Sequence, residues 1–273
     1  MELAETVNDR ALKKNLDRLY ESFDFSRHRN IDPIEFPHRY QAPEDREIVA
    51  FLSSFFAYGK VELFKSFLER MFQAMGDSPY RFVLNFESKR DSETFSGFLY
   101  RFHGERDIIA LFNALKKSLH DSGSLKNIFL HEYDGKDGNI RKALSGFVRY
   151  LNQRAGRNKN SLIPSPHSGS ACKRLNMFLR WMVRDRDVDF GLWKEIPKHK
   201  LVIPLDIHIG RIARCLRLTQ RKSDDWKTAE EITESLKRFD PEDPLKYDFA
   251  LCHQGIAGIC RADKGLCARC VLK

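Results

Sequence analysis

Apolar residues recur along this chain at the spacing of a buried helix face almost from end to end. Ile48, Phe51, Leu52 and Phe55 follow an i, i+3, i+4, i+7 pattern. Val61, Phe64, Phe67, Leu68, Met71 and Met75 repeat it, as do Ile108, Leu111, Phe112, Leu115 and Leu119. Ala143, Phe147, Tyr150 and Leu151 form a fourth face, and Ala229, Ile232, Leu236 and Phe239 a fifth. No run alternates with the period of two that a half-buried strand requires. The expected fold class is therefore all-α. Prolines support this reading: Pro43, Pro79, Pro241 and Pro244 stand where helices are expected to start, and the other six stand in connectors.

Other classes drop out quickly. No strictly apolar run exceeds five residues, as in Ile48–Leu52, far short of the roughly 20 needed to span a bilayer as a helix. A hydrophobic content of 42% supplies a core and argues against intrinsic disorder. The N-terminal Met-Glu-Leu-Ala-Glu lacks the basic start and apolar stretch of a signal peptide, so a cytoplasmic location is expected; a monomer is the expected oligomeric state. The net charge of +9 is unevenly placed: Ala171–Lys222 holds 13 Lys and Arg against 5 Asp and Glu. Charge gathered in this way points to a polyanion, although a basic solvated surface has the same composition.

Two stretches that overlap that basic segment carry chemistry. In the first, Pro164 to Ser170 forms a Pro/Gly/Ser turn leading into a helix whose buried stripe is Leu175, Phe178, Leu179 and Met182. Lys173, Asn176, Arg180 and Arg184 recur on another face. A Gly169-Ser170 turn opening a helix aims free N–H groups outward, which suits a phosphate, and a basic stripe beside it would track a nucleic-acid backbone. An amphipathic helix with a charged outer face fits the same spacing. In the second, Leu201–Leu218, an apolar run meets Pro204, then Asp206, then a helix buried through Ile209, Ile212, Ala213 and Leu216, with His208, Arg211 and Arg214 on its basic side. Asp206 is placed to cap that helix, and a carboxylate so held also serves acid/base or electrostatic work.

Six cysteines complete the pattern: Cys172, Cys215, Cys252, Cys260, Cys267 and Cys270. In a cytosolic chain, cysteines crowded like the last four more often bind metal or do redox chemistry than form disulfides. Four thiolates suit a 4Fe–4S cluster or zinc.

Together these motifs resemble the helix-hairpin-helix DNA glycosylase superfamily, which includes the endonuclease III family. The resemblance covers about Gly169–Cys270; the whole chain also resembles a bacterial family of uncharacterised conserved proteins. It implies a two-lobed helical fold, with residues 46–184 as one lobe and residues 1–45 plus 185–273 as the other. Ala155–Ser170 and Asp185–Pro204 read as linkers. It places Lys173 at the Schiff-base nucleophile position and Asp206 at the catalytic carboxylate. Gly169, Ser170, Asn176, Arg180, Arg184, His208, Arg211 and Arg214 then contact double-stranded DNA carrying a damaged base. Glu47–Tyr58 resembles the helix that ends at the lesion-probing residue, so Phe55, Phe56 or Tyr58 would line the base pocket or act as a wedge, though Phe55 also continues the core stripe. The Cys260-x6-Cys267-x2-Cys270 spacing matches the first three ligands of the superfamily cluster, with Cys252 as the fourth. The sequence departs from the pattern in its shortened hairpin, in Ile207 where Thr is usual, and in a long gap between Lys173 and Asp206. That gap is closest to the archaeal 8-oxoguanine glycosylase branch. The expected activity is base excision with abasic-site lyase chemistry. A catalytically inactive nucleic-acid binder on the same scaffold is the main alternative, and a helical protein that meets a protein partner is the third.

Overall fold

The computed structural model describes residues 7–156, 163–260, 270 and 272. In chain order its helices are α1 (Val7–Glu21), α2 (Phe25–Arg29), α3 (Pro43–Phe56), α4 (Val61–Met75), α5 (Pro79–Leu84), α6 (Ser88–Asp91), α7 (Glu105–Ser122), α8 (Leu125–His131), α9 (Arg141–Arg154), α10 (Lys173–Val183), α11 (Ile207–Cys215), α12 (Trp226–Lys237) and α13 (Asp248–Ile256). A two-residue hairpin, β1 (Leu99–Tyr100) and β2 (His103–Gly104), pairs Leu99 with Gly104 and Tyr100 with His103. Strands this short leave no alternating pattern in a sequence. The protein is all-α, and among the described residues no helix is long and apolar enough to cross a membrane.

The chain divides into two compact units. A middle unit runs over Arg29–Ser168, and a terminal unit joins Met1–His28 to Gly169–Lys273. Both boundaries differ from the 45/46 and 184/185 divisions read from the resemblance. Residues 185–204, expected as a linker, lie inside the terminal unit. Val188, Trp193 and Ile196 are buried there, and Phe190 and Trp193 donate backbone hydrogen bonds of 2.8 Å to Trp181 O and Met182 O.

In the middle unit α3 is buried almost throughout, and its acids organise its neighbours. Asp45 Oδ1 accepts from Ser78 Oγ and Tyr80 N at the start of α5. The Glu47 carboxylate accepts from Leu125 N at 2.8 Å and Lys126 N at 3.1 Å, satisfying two donors that the start of α8 would otherwise leave bare. The apolar stripes of α3 and α7 are buried as spaced. On α4 the stripe is buried from Phe64 onward, with Val61 half-buried. On α9 Tyr150 is half-exposed while its companions are inside. Pro43 and Pro79 open helices, as expected. Pro241 and Pro244 do not: they stand in a bend and a turn, and the next helix waits until Asp248.

In the terminal unit α10 is buried on nearly every side. Its apolar stripe is inside, and so are Asn176, Arg180 and Arg184, the residues expected on a solvent face. The Arg184 side chain is 1% exposed and meets Asp189 at 2.5 Å, Asp243 at 2.8 Å and Asp187 at 3.1 Å. Arg180, at 4%, pairs with Asp248 at 2.5 Å and Asp189 at 3.3 Å. Burial alone would lower the Arg184 guanidinium; Asp189, Asp243 and Asp187 outweigh it and hold the group charged. A guanidinium taken out of water is stable only with such partners. This network ties the helix to the residues after it.

Candidate active site

The turn into α10 is shaped by two left-handed residues. Gly169 holds φ +85 with open space where a Cβ would stand, so backbone conformation is what calls for glycine here. Its carbonyl accepts from Trp226 N at 3.1 Å, and Ser170 forms an isolated antiparallel bridge with Asp225. Ser170 Oγ accepts from Cys172 N at 3.2 Å. Cys172 itself is left-handed (φ 48, ψ 37) at the cap of α10, and burial pushes its thiol up to about 11, which makes it a packed residue. Lys173 follows as the first helical residue. It is half-buried and makes no hydrogen bond or ion pair with any described residue.

Asp206 closes a buried apolar run, Leu201–Leu205, and caps α11 from an extended backbone. Its Oδ1 accepts from His208 N and Ile209 N, both at 2.9 Å. This leaves Oδ2 turned toward α13, where Cys252 Sγ donates to it at 3.9 Å. One turn earlier on α13, Asp248 is buried with Arg180. Burial raises its carboxyl despite that arginine, and the charge of Asp206 adds to the rise. Neither Cys252 nor Asp248 is marked out as a neighbour of Asp206 by sequence spacing; the packing of α13 on α11 makes them so. The start of α11 and the end of α13 abut closely: a Cβ at Gly255 would stand 2.6 Å from His208 Cβ. Ile207, directly after Asp206, is 70% exposed, which sequence patterning does not single out.

One loop serves both helices. Asp225 caps α12 and pairs with Ser170, while Asp224 takes the Arg214 guanidinium and lies against Gly210 of α11. The turn into α10 and the middle of α11 are thus pinned to Arg221–Asp225. Lys173 and Asp206 each stand at a helix start in the terminal unit.

Several expected contact residues are committed elsewhere. Arg180 and Arg184 are sealed in the buried network and cannot meet a phosphate. Asn176 is buried with its Nδ2 on Ala171 O at 3.0 Å, closing the turn from inside. Arg214 Nε donates to Arg221 O at 2.7 Å and Nη2 to Lys222 O at 3.1 Å. Arg211 Nη2 lies 3.4 Å from His208 Nδ1 and donates to Gly255 O at 3.3 Å, across to α13. Gly169, Ser170, Lys173 and Asp206 keep positions at helix starts. In the middle unit Phe55 and Phe56 are core residues, which removes them as wedge or pocket residues. Half-buried Tyr58 donates to Tyr100 O at 3.2 Å, and the Tyr100 hydroxyl donates back to Tyr58 O.

Of the four proposed metal ligands, Cys267 lies outside the described residues. Cys252, Cys260 and Cys270 form no disulfide among the described residues. Among the described residues no three His, Cys, Asp or Glu side chains gather as a metal cage.

Fold and site define a two-unit, all-α protein with a lysine and a capping carboxylate at helix starts in one unit. The chain belongs to the family described as Protein of unknown function (DUF2400), whose model matches residues 32–257. No curated protein and no solved structure matches it.

Proposed function

We propose that this protein excises a damaged base from double-stranded DNA, with an oxidised purine such as 8-oxoguanine as substrate, and then cleaves the strand at the abasic site. One observation carries the proposal: Lys173, without a partner among the described residues, stands at the start of a helix reached through a left-handed Gly169 turn, in the same unit as a rigidly capped Asp206. An amine attacks the anomeric carbon only after losing a proton, and a carboxylate can take it and stabilise the positive sugar formed as the base leaves. Oδ1 of Asp206 is fixed by two backbone donors, and Oδ2, which takes only the long 3.9 Å contact from the Cys252 thiol, is the oxygen for that work. Attack by Lys173 Nζ on C1′ breaks the glycosidic bond, the base leaves with a proton, and the resulting imine permits elimination of the 3′ phosphate. Such chemistry needs the target nucleotide out of the duplex.

The chemistry needs no cofactor. A 4Fe–4S cluster or zinc held by Cys260, Cys267 and Cys270 would fix the C-terminal segment. Cys252, as the fourth thiolate, would exchange its contact with Asp206 for the metal. Iron and zinc analysis of the purified protein tests the four-cysteine set.

Burial of Asn176, Arg180 and Arg184 removes three expected DNA contacts and favours a second reading, a nucleic-acid binder without turnover. Borohydride trapping on duplexes carrying 8-oxoguanine or an abasic site separates the two. Wild type is expected to form a covalent adduct and Lys173→Gln to form none. An adduct that survives Lys173→Gln overturns the assignment of the nucleophile; DNA binding with neither adduct nor released base supports the second reading.

A further inference from the structure

The β1–β2 hairpin of the middle unit presents an aromatic ring to water on a rigid mount. Phe102, at its tip, is 81% exposed, and Leu99 beside it is 70% exposed. The mount is held from below. The Tyr58 and Tyr100 hydroxyls each donate to the other's backbone carbonyl, and Tyr100 packs on Phe56 and Phe67. Arg101 holds φ 52, a conformation that disfavours side chains, and its Cζ lies over the rings of both Tyr58, at 5.8 Å, and Phe102, at 5.7 Å. Gly59 makes room for this: a Cβ there would stand 2.7 Å from Arg101 Nη1. The left-handed Arg101 is what the two-residue turn between Tyr100 and His103 requires, and it sets Phe102 at the tip.

The size of the patch decides what it takes. Phe102 and Leu99 together expose roughly 300 Å², against about 800 Å² per partner in a standard protein–protein interface. One ring backed by a guanidinium matches the face of a nucleobase, with positive charge at hand for the adjoining phosphate. We propose that Phe102 is the outer leaf of a Tyr58–Arg101–Phe102 stack that receives an unpaired nucleobase on its open face. This rests on the nucleic-acid reading given above and adds a contact in the middle unit, far from Lys173 and Asp206 in sequence.

The test uses full-length protein and two duplexes, one intact and one with a stable abasic analogue that leaves the opposite base unpaired. Phe102→Ala is expected to weaken binding to the abasic duplex about 5- to 150-fold, to change binding to the intact duplex by less than about 2-fold, and to leave Tm unchanged, since the ring packs on little. In Phe102→Trp, the new indole emission is expected to be quenched by the abasic duplex alone. Equal affinity of wild type and Phe102→Ala for the abasic duplex, or unquenched emission, overturns the stacking role. If wild type binds neither duplex, the nucleic-acid reading falls with it. If trapping at Lys173 fails while the Phe102 results hold, only the catalytic reading falls.

Discussion

Replacing Arg184 by methionine distinguishes a buried structural arginine from a DNA contact. The guanidinium is 1% exposed and faces three carboxylates, at 2.5, 2.8 and 3.1 Å. Methionine fills much of the volume but removes the charge that Asp189 and Asp243 were buried to meet. Breaking one side of a buried ion pair costs about 3–5 kcal/mol. The terminal unit has about 130 residues, which corresponds to an unfolding entropy of about 0.27 kcal/mol/K near the midpoint. The Tm of that unit should therefore fall by roughly 10–18 °C, measured by calorimetry on the full chain. Because the network is shielded from solvent, the drop should be similar at low and high salt. Asp243→Asn, which keeps the shape but weakens one partner, should give a smaller drop in the same direction. A fall of less than about 3 °C, with weaker DNA binding and a salt dependence reduced by about one phosphate contact, would refute the argument and return Arg184 to the nucleic-acid surface.

Two further predictions address the site and the pH dependence. Asp206→Asn should leave stability within about 0.5 kcal/mol, because asparagine caps a helix about as well as aspartate, yet reduce trapping by at least about 100-fold for loss of the carboxylate; full trapping by this variant would confine Asp206 to its cap. Burial alone would raise Asp17, but hydrogen bonds from Tyr247, Lys13 and Lys246 outweigh it and bring the carboxyl down to about 2. A folded value below the unfolded one stabilises the fold above about pH 4, and that contribution disappears as pH falls toward 2. Asp17→Asn should cost about 1 kcal/mol at pH 7, after allowance for solvent screening, and only a small fraction of that at pH 2, by denaturant titration at each pH; an equal cost at both values would contradict this assignment.

Fold class was legible in the sequence because helical periodicity is local. Ile48, Phe51 and Phe55 fall inside through spacing alone, and no distant residue is needed to place them. The same holds for Asp206: a proline, an acid and an amphipathic run announce a capped helix start within a few residues. Periodicity reports that a helix has faces, but it cannot name what lies against each one. Arg180 and Arg184 repeat on a helix face as solvent-exposed cations do. Their partners Asp189, Asp243 and Asp248 stand 5 to 68 residues further along the chain, and only folding brings them to the guanidinium groups. Tertiary packing turned the stripe expected to face DNA into the charged interior of the terminal unit. Phe55 and Phe102 show the converse. The aromatic on a strongly periodic helix is core, while the exposed one lies on a hairpin too short to leave a pattern. Local order, caps and apolar stripes are properties of neighbouring residues and can be read in sequence. Which charge is buried, which ring meets water, and which thiol donates to Asp206 depend on contacts between remote segments, so the tertiary structure alone decides them.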